Sequence, residues 1–318
     1  MKILITGVCG FIGFNLAHFL LKKKYKVYGI DNINDYYSTN LKIDRLKILK
    51  KYKNFFFFKT DIRKYNNLKN IFNKTKIDIV IHLAAQAGVR YSIEEPRKYI
   101  ENNIDGFFNI IDLCNKNKIK KIIYASSSSV YGDNKKFPLK ENQILKPKNL
   151  YASTKANNEE TADIFSRFYG LDIIGLRFFT VYGEWGRPDM FMMKYLESNL
   201  NKNKKFYLYN YGNHIRDFTY IQDVNNIVFK LIKKKFKKHQ IFNICSNAPT
   251  KITDVIDIIN QSTGVIGKVL RTSLQKADIL KTHGDNKKIK KYINYYNFYN
   301  IKNGISNLVN WYKSYHKI

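Results

Sequence analysis

The chain has 318 residues and a formal net charge of +31, with 56 Lys and Arg residues against 25 Asp and Glu residues. This length is enough to bury a substantial core, as one large domain or as two closely joined ones. No apolar run approaches the ~20 residues that a membrane-spanning helix needs, so we expect no membrane segment. The lysines are spread from end to end among Asn, Ile, Tyr and Phe, which share A/T-rich codons. Base composition therefore explains the charge, and we expect no nucleic-acid partner.

The cysteines are few and dispersed. Cys9, Cys114 and Cys245 are an odd number, and they lack the spacing of metal ligands. This pattern favours free thiols in a reducing compartment over a disulfide framework. The chain starts directly in a predicted strand at Met1–Ile5, so we expect no signal or transit peptide. Together these features predict a cytoplasmic protein without a metal centre.

The first predicted strand, Lys2–Thr6, leads into a glycine-rich turn and then into an apolar-periodic helix that ends near Lys23. The turn has the spacing Gly-x-x-Gly-x-x-Gly over Gly7–Gly13. Glycines let the backbone approach a pyrophosphate, and the positive N-terminus of the helix stabilises the phosphate charge. Glycines also serve ordinary tight turns, so the interpretation depends on the segments that follow.

The second predicted strand, Lys26–Ile30, ends in Asp31. An acidic side chain at this position can accept hydrogen bonds from the adenosine ribose hydroxyls, and it repels a 2′-phosphate. The residue type therefore favours NAD over NADP. Farther along, we predict a buried strand at Asn54–Lys59, and we expect the Asp61 carboxylate to meet the adenine amino group.

The middle of the chain continues to alternate between strands and helices. A helix near Tyr65–Thr75 precedes a strand at Asp78–Leu83, which ends in small residues that allow a cofactor to pass closely. We expect a long helix over about Pro96–Asn115, followed by the strand Lys121–Ala125 and the run Ser126–Ser129. Hydroxyls at the carboxyl end of a parallel strand lie where ligands bind in doubly wound sheets. A solvated serine loop is the alternative.

Tyr151 and Lys155 are four residues apart in a predicted helix, Tyr151–Gly170, and so they share a face. If that face borders a cofactor, the ammonium can hold the pKa of the phenol below its usual value of roughly 10. A tyrosine tuned in this way can remove and return a hydroxyl proton near neutral pH. For an isolated pair, an ordinary exposed helix face is the alternative.

The alternation of strands and helices up to Asp172–Arg177 predicts an α/β fold with a doubly wound, Rossmann-like parallel sheet. After Arg177 the pattern changes to a long loop, Phe178–Met190, and then to a helix at Met192–Leu200 and short strands. We expect residues 1–179 to form an NAD-binding domain whose sheet is completed by about 219–248. Residues 180–318 are expected to form mainly a smaller, interleaved substrate-binding lobe.

The glycine loop, the serine-rich strand end and Tyr151-x-x-x-Lys155 fall in the order and spacing of the extended short-chain dehydrogenase/reductase family, which this chain resembles. Within that family it is most similar to the UDP-glucuronate 4-epimerases. Five segments carry this similarity: Asp31–Tyr37, Ala85–Ser92, Tyr124–Gly132, Phe179–Met190 and Arg216–Tyr220. The resemblance covers about the first 225 residues. It weakens past Ile244, where the usual Gly-Asp pair is replaced by Lys276-Ala277-Asp278.

The resemblance implies an isomerase that inverts C4 of a UDP-linked uronic acid. The sugar would give a hydride to tightly held NAD, turn over as a 4-keto intermediate and take the hydride back on its other face. Tyr151 would take the C4 hydroxyl proton. Lys155 would lower the pKa of that tyrosine and hold the nicotinamide ribose. Ser127 would hydrogen-bond the C4 oxygen, with Ser128 as a substitute.

The resemblance also implies which residues bind the two ligands. Asn103 would support the cofactor site from its helix, Phe179 would lie beside the nicotinamide, and Thr180 would lie near the sugar. The implied cofactor site comprises Gly7, Gly10, Phe11, Ile12, Gly13, Asp31, Asn32, Asp61, Ile62, Leu83, Ala84, Ala85, Gln86, Asn103, Tyr151, Lys155 and Phe179. The implied substrate site comprises Arg90, Ser127, Ser128, Thr180, Arg187, Arg216 and Asp278.

A uronic acid oxidised at C4 is a β-keto acid, which tends to lose its C6 carboxylate. A guanidinium that grips both carboxylate oxygens would keep the carboxylate ionised and away from the geometry that leads to this loss. Arg187 is the candidate, and an ordinary surface-loop arginine is the alternative. Arg90 and Arg216 are the other arginines in matching segments, and we expect Arg216 to meet the diphosphate.

Three other functions stay open on the sequence alone. The first two are a 4-epimerase of neutral UDP-hexoses and a UDP-glucuronate decarboxylase, which share the 4-keto intermediate. The third is a non-catalytic scaffold that binds nucleotide, against which the intact Tyr151, Lys155 and serine run argue. The resemblance further implies a homodimer formed through the helices near Pro96–Asn115 and Tyr151–Gly170.

Overall fold

A computed structural model describes residues 1–201, 204–275 and 278–318. Lys276 and Ala277, where the sequence departs from the family pattern, lie outside the described residues. The strands are β1 (Lys2–Thr6), β2 (Lys26–Asp31), β3 (Phe55–Lys59), β4 (Ile79–His82), β5 (Lys121–Ser127), β6 (Asp172–Phe178), β7 (Thr180–Tyr182), β8 (Phe206–Leu208), β9 (Ile215–Tyr220), β10 (His239–Ile244), β11 (Pro249–Lys251) and β12 (Val269–Arg271). The helices are α1 (Phe11–Lys22), α2 (Thr39–Lys50), α3 (Tyr65–Lys74), α4 (Tyr91–Glu94), α5 (Pro96–Tyr99), α6 (Gly106–Lys116), α7 (Leu150–Tyr169), α8 (Phe191–Leu200), α9 (Ile221–Lys233), α10 (Ile252–Thr263), α11 (Lys287–Ile293) and α12 (Ile301–His316).

In the described part of the chain, seven strands form one sheet in the order β10-β6-β5-β4-β1-β2-β3. Each neighbouring pair is parallel. The central strands β1 and β4 are almost continuous apolar runs because helices cover both faces of the sheet. The strand order reverses between β1 and β4, and ligands bind at such a switch point in open α/β sheets. The predicted α/β fold with a doubly wound, Rossmann-like sheet is confirmed.

Strand β3 corrects one expectation. The phenylalanine run predicts a buried strand, but β3 is the edge of the sheet and pairs only with β2. Phe55 is buried, whereas Phe56 is 38% exposed and covers the ring of Tyr28 at a centroid distance of 5.1 Å. An edge strand lacks a neighbour on one side, so its side chains are less enclosed than those of β1 or β4.

The chain after Phe179 builds smaller sheets and returns once to the large one. Strands β11, β9 and β7 form one small sheet, and β12 pairs with β8 in another. Strand β10 pairs with β6 at the end of the large sheet. Among the described residues, no helix has the length and apolar character needed to cross a membrane.

The predicted long helix over Pro96–Asn115 is not a regular α-helix. Helix α5 is followed by a π-helical turn, Ile100–Asp105, before α6 begins. The wider turn places Asn103 in the interior, where it is 1% exposed. Turns of this kind are rare and often occur at functional sites.

The structure describes all three cysteines, and each is a buried free thiol. Burial raises the pKa of Cys9 and of Cys114, which keeps both in the neutral form. The prediction of free thiols is confirmed, and the cytoplasmic location stays a prediction.

Candidate active site

A cleft of about 1030 Å³ lies at the carboxyl ends of the central strands and extends over β8 and β9. It contains all but two of the residues that the sequence analysis singled out as ligand-binding or catalytic. The exceptions are Asp61 and Asn103, which lie just behind its wall. The predicted site is therefore one continuous space, although its residues come from positions as far apart in sequence as Gly7 and Asp278.

The glycine loop at one end of the cleft has no room for side chains. Gly7 has a φ of +70°, and a Cβ at this position would lie 2.8 Å from the backbone nitrogen of Ala84. A Cβ at Gly13 would lie 2.1 Å from the carbonyl oxygen of Gly7. Gly10 precedes α1, so no side chain caps the first N–H groups of that helix. The free N–H groups leave a positive helix terminus at the cleft.

Asp31 is held at the tip of β2 by two backbone N–H groups. Its oxygens accept hydrogen bonds from the N–H of Cys9 at 2.9 Å and from the N–H of Ile33 at 2.8 Å. Burial raises the pKa of Asp31, and the two N–H groups and the Lys42 ammonium oppose that effect. Lys42 also lines the cleft, and it donates to the carbonyl and side-chain oxygens of Asn34, each at 2.6 Å.

Asp61 lies beside the cleft rather than in its wall, with both oxygens in use. It forms an ion pair with Arg63 at 2.9 Å and accepts a hydrogen bond from the Asn32 side chain at 2.9 Å. Burial raises the pKa of this carboxyl, but the hydrogen bonds from Arg63 outweigh it, so the pKa is lowered. The contact with adenine stays a prediction.

Asn103 supports the turn that follows β4. Its Oδ1 accepts the N–H of Gln86 at 2.8 Å, and its Nδ2 donates to the carbonyl of Gln86 at 3.0 Å and to Oγ1 of Thr154 at 3.1 Å. The turn residues Leu83–Gln86 line the cleft. His82, which precedes this turn, is buried against Thr6, and burial lowers its pKa to about 3. This histidine is neutral and structural.

Tyr151, Lys155 and Ser127 meet at the middle of the cleft. The Lys155 ammonium donates to the carbonyl of Ala125 at 2.8 Å, and the lysine is 2% exposed. Burial lowers the pKa of Lys155 to about 8, although the Glu159 carboxylate opposes that effect. Ser127, the last residue of β5, lies near enough to the Tyr151 phenol to lower its pKa, and its hydroxyl donates to Oγ of Ser129 at 3.1 Å.

The expectation that Lys155 brings the pKa of Tyr151 below its usual value is wrong for this structure. Burial raises the pKa of Tyr151, and the nearby Ser127 hydroxyl and the charge of Arg187 oppose the rise without cancelling it. The physical reason is that a phenolate loses more by leaving water than these neighbours return. Within the protein, the neighbouring cation that lowers this pKa is Arg187.

The other serines at the end of β5, Ser126, Ser128 and Ser129, also line the cleft. The Ser126 hydroxyl donates to the buried Glu159 at 2.5 Å. Glu159 is paired with Arg177, with Nε to Oε1 at 2.9 Å, and both side chains are buried. The ion pair between Glu159 and Arg177 was not predicted from the sequence. The position of Glu159, one helical turn after Lys155, is the signal that could have found it.

Arg187 lies in the cleft wall and has a carboxylate partner. Its Nε donates to Oδ1 of Asp189 at 3.0 Å, and its Nη2 donates to Oδ2 at 2.5 Å. Although burial disfavours the charge, Asp189 raises the pKa of the guanidinium, so Arg187 is cationic. The Tyr36 ring lies 5.6 Å from the guanidinium carbon, and its hydroxyl donates to Asp189 at 3.4 Å. The surface-loop alternative does not describe this residue.

Arg90, Arg216 and Asp278 meet at the far end of the cleft. Nη2 of Arg90 lies 3.0 Å from Oδ2 of Asp278, and the guanidinium carbon lies 4.4 Å from the centroid of the Tyr209 ring. Burial lowers the pKa of Arg216 to about 10, with Asp278 opposing. His214 also lies here, with Nε2 3.8 Å from Asp278.

Several residues that line the cleft were not singled out from the sequence. They are Asn34, Tyr36, Tyr37, Lys42, Asp189, Lys194, Tyr209 and His214. Asn34, Tyr36 and Tyr37 fall within Asp31–Tyr37, and Asp189 falls within Phe179–Met190. These are segments that carry the family resemblance, so the segments were informative although the individual roles were not.

Comparison with known proteins identifies the family. Residues 3–245 match the model of the NAD dependent epimerase/dehydratase family. The chain belongs to this family. UDP-glucuronate 4-epimerase of Thermodesulfobacterium geofontis is 38% identical over 311 residues, which cover 98% of this chain and 95% of that protein. The predicted membership is confirmed, and the epimerase is NAD-dependent, as the sequence predicts.

Two solved epimerase structures share the whole fold. UDP-glucuronic acid 4-epimerase from Bacillus cereus, in complex with UDP-glucuronic acid and NAD, has a TM-score of 0.93 and 29% identity, covering 99% of this chain and 100% of that one. UDP-N-acetylglucosamine 4-epimerase from Methanobrevibacter ruminantium M1, in complex with UDP-N-acetylmuramic acid, has a TM-score of 0.90 and 28% identity, covering 99% and 98%. The likeness thus extends to epimerases of different sugars.

The residues of this epimerase fit its cofactor. A Cβ on Gly7 or Gly13 would collide with the backbone around the loop, so the loop keeps an open backbone surface at the N-terminus of α1. That surface suits a pyrophosphate, and Asp31 suits a ribose diol. Once bound, NAD accepts and returns a hydride.

Proposed function

We propose that this epimerase interconverts UDP-glucuronate and UDP-galacturonate. The observation that carries the proposal is the position of Arg187, whose charge is close enough to Tyr151 to act on the pKa of that phenol. If Tyr151 faces the C4 hydroxyl of a hexose, the C6 substituent is only two carbons away from the reacting carbon. A guanidinium beside the tyrosine therefore suits a sugar whose C6 is a carboxylate.

The protein residues would divide the proton chemistry among them. Tyr151 takes the proton of the C4 hydroxyl during oxidation and returns it during reduction. Ser127, which lies near Tyr151, holds the C4 oxygen. Lys155 holds the nicotinamide ribose while it donates to Ala125. Because Tyr151 must be deprotonated to take the C4 hydroxyl proton, its raised pKa opposes the oxidative step and favours the reductive step, in which the phenol is the acid.

Arg187 has donors to spare for a substrate carboxylate. A guanidinium carries five N–H donors, and two of the three nitrogens each donate once to Asp189. The remaining N–H groups can bind a second carboxylate while Asp189 holds the fork in place. A carboxylate held in this way keeps its charge, and its fixed position would keep the C5–C6 bond out of line with the π system of the C4 carbonyl.

The deciding experiment incubates the purified enzyme with NAD and UDP-glucuronate and identifies the product sugar by NMR. UDP-galacturonate supports the proposal. UDP-xylose with release of carbon dioxide identifies a decarboxylase instead. UDP-glucose and UDP-N-acetylglucosamine are offered in parallel, because the structural relatives include an epimerase of a neutral sugar. Faster turnover of a neutral sugar than of the uronate would contradict the proposal.

Replacing Arg187 tests its role directly. We expect Arg187→Ala to lower kcat/KM on UDP-glucuronate about 100-fold, because loss of a charge-assisted contact costs roughly 1.5–3 kcal/mol and misplacement adds to it. We also expect a pentose product to form. Arg187→Lys keeps the charge but loses the forked geometry of the guanidinium. We therefore expect its kcat/KM to fall between those of the wild type and Arg187→Ala. Normal epimerisation by Arg187→Ala without loss of carbon dioxide would contradict the role.

We also propose a division of the chain into two parts. The residues assigned to NAD and to proton transfer fall within 1–179, and β10 completes their sheet from within 219–248. Residues 180–318 mainly hold the substrate through Arg187, Arg216 and Asp278. Two copies of the chain would associate through α6 and α7, whose outer faces carry exposed apolar side chains.

A further inference from the structure

Arg45 is a buried cation whose partners are all neutral oxygens. It lies on α2, is 0% exposed, and within the described part of the chain none of its hydrogen bonds goes to a carboxylate. Nη1 donates to the carbonyl of Cys9 and to the hydroxyl of Tyr37, both at 2.8 Å. Nη2 donates to the carbonyls of Trp185 at 2.5 Å and Gly186 at 3.2 Å.

A buried guanidinium lowers the stability of the protein if the only role of α2 is to pack against the core. The Asp31 carboxylate is near enough to interact with Arg45 through its charge, but it is not among the hydrogen-bond partners of the guanidinium. Burial of a charge without a hydrogen-bonded counter-charge is unfavourable, and an apolar side chain would pack α2 at lower cost. Among the described residues, the Nε of Arg45 has no hydrogen-bond partner, so the site is not built to satisfy the guanidinium fully. It is instead built around the carbonyl groups that the two Nη atoms reach.

The partners of Arg45 belong to three segments that meet at the cleft. Cys9 lies inside the glycine loop, and Tyr37 ends the segment that begins at Asp31. Trp185 and Gly186 immediately precede Arg187. One guanidinium therefore ties the cofactor loop to the loop that carries the proposed carboxylate ligand, across 140 residues of sequence.

The loop is held in an unusual backbone conformation at this point. Trp185 has a φ of +60°, a left-handed conformation that bulky side chains rarely adopt. Its ring is fixed by Phe14 and Trp311, at centroid distances of 5.1 and 5.2 Å, and its carbonyl is fixed by Arg45. Arg187 follows Trp185 by two residues. A change in the backbone conformation of Trp185 therefore moves the backbone of Arg187.

We propose that Arg45 is a positioning residue that fixes Arg187 relative to the cofactor loop and so determines whether the oxidised uronate keeps its carboxylate. This inference rests on the proposed function. When the carboxylate is misplaced, the C5–C6 bond breaks and carbon dioxide leaves. The electron pair passes into the C4 carbonyl, and the enolate takes a proton at C5. The resulting 4-keto pentose then takes the hydride at C4 in place of the 4-keto uronate.

The test compares variants of the full-length holoenzyme on UDP-glucuronate labelled with ¹³C at C6. Arg45→Lys keeps the charge, but one ammonium cannot reach all of the carbonyls that the fork reaches, and Arg45→Met removes the charge. The control is Leu49→Ala, which opens a cavity under the same helix, one turn farther on, and removes no hydrogen bond to the loop. Labelled carbon dioxide, UDP-galacturonate, kcat and KM are measured for each, together with the thermal midpoint.

For both Arg45 variants, we expect the fraction of turnovers that release labelled carbon dioxide to be at least about tenfold higher than for the wild type. We expect kcat for epimerisation to fall roughly 10- to 100-fold, since misplacement by about 1 Å can cost that much. Leu49→Ala is expected to lower the thermal midpoint at an unchanged product ratio. A product ratio that follows the thermal midpoint across all three variants would overturn the inference and leave Arg45 with a structural role only.

A second readout reports the position of the loop without turnover. The chain has two tryptophans, so Trp311→Phe leaves Trp185 as the only one. In that background we expect Arg45→Lys to shift the emission of Trp185 and Leu49→Ala to leave it unchanged. Identical emission and identical products for Arg45→Lys and its parent would overturn the inference while the proposed function stands. A wild-type enzyme that leaves UDP-glucuronate unconverted overturns both, and that failure is visible before any variant is made.

Discussion

Lys155 is a charged group in a place that disfavours charge. The side chain is 2% exposed, one carbonyl accepts from its ammonium, and Glu159 lies one helical turn away. Burial lowers its pKa from the ordinary 10.5 to about 8, so at neutral pH the lysine is still a cation. The residue proposed to hold the nicotinamide ribose thus carries its charge at the expense of stability.

Because the charged form of Lys155 is destabilised by burial, the free energy of unfolding should depend on pH. Between pH 8 and 10.5 the unfolded lysine binds more protons than the folded one, so its contribution to stability rises with pH. Between about pH 7 and about pH 9, we expect the free energy of unfolding of the wild type to rise by on the order of 1 kcal/mol relative to that of Lys155→Met. Urea unfolding at both pH values measures the difference.

The exposed lysine Lys53 provides the control. Lys53→Met is expected to follow the wild type at both pH values because that side chain stays in water when the chain folds. If wild type and Lys155→Met change in parallel from about pH 7 to about pH 9, Lys155 does not titrate in this range, which would contradict its lowered pKa.

At the scale of single residues, local patterns were predictable and long-range partners were not. The glycine spacing and the Tyr151–Lys155 spacing are properties of a few neighbouring residues, and the structure brings both to the cleft. The bond from Arg45 to Trp185 joins positions 140 apart, and nothing in either local sequence indicates it. The net pKa of Tyr151 could not be predicted either, because burial dominates it and burial is a property of the fold.

At the scale of the elements, the π-helical turn Ile100–Asp105 places a polar side chain in the interior, where it binds the backbone of a neighbouring segment. It turns Asn103 inward, where one side chain satisfies both the N–H and the carbonyl of Gln86. The same side chain reaches Thr154, whose hydroxyl donates to the carbonyl of Tyr151. The turn therefore connects the cofactor-lining segment after β4 with the helix that carries Tyr151 and Lys155.

Removal of that side chain should affect stability and cofactor binding together. We expect Asn103→Ala to lower the free energy of unfolding by roughly 2–6 kcal/mol, because two buried backbone groups of Gln86 each lose a partner at about 1–3 kcal/mol. The affinity for NAD, measured by calorimetry, should fall as well. Asp105→Ala, on the exposed side of the same turn, is the control and should change stability by less than about 0.5 kcal/mol. Unaltered NAD affinity in a destabilised Asn103→Ala would limit Asn103 to a structural role.

Sequence periodicity predicted that a helix exists here but not its type. The residues from Pro96 to Lys116 keep apolar positions at helical spacing through α5, the π-helical turn and α6. A shift of one residue in the hydrogen-bonding pattern leaves that spacing almost unchanged, so only the fold reveals it. For β3, a run of phenylalanines indicated a strand correctly, but its edge position depends on the order of all the other strands.

At the scale of the whole molecule, the cleft brings together residues that are far apart in the sequence. Arg90 follows β4, and Asp278 lies in the segment before α11, yet the two side chains form an ion pair at 3.0 Å. Alternating strands and helices were enough to predict the sheet, because right-handed crossovers leave few other arrangements. The closure of the second part over the sheet was not predictable in detail, because its irregular loops have no periodic pattern.

The outer faces of α6 and α7 are unusually apolar for a surface. Phe108 is 50% exposed, Ile164 is 45% exposed and Phe168 is 74% exposed. The helices pack against each other, and the rings of Phe108 and Phe165 meet at 5.9 Å. A pair of helices that exposes such side chains can pack on an identical pair across a twofold axis, which makes the surface complementary to itself.

We therefore expect the chain to elute as a dimer of the 37.6 kDa protomer when its mass is measured by light scattering at micromolar concentration. Phe108→Asp combined with Ile164→Asp should give a monomer, because four carboxylates would have to be buried without partners in the dimer. Ile266→Asp removes an equally apolar side chain, 86% exposed and outside both helices, and should leave the dimer intact. The catalytic side chains lie on the cleft side of α7, so the monomer should still bind NAD. A dimer that survives the double substitution but not Ile266→Asp would place the interface near Ile266 instead.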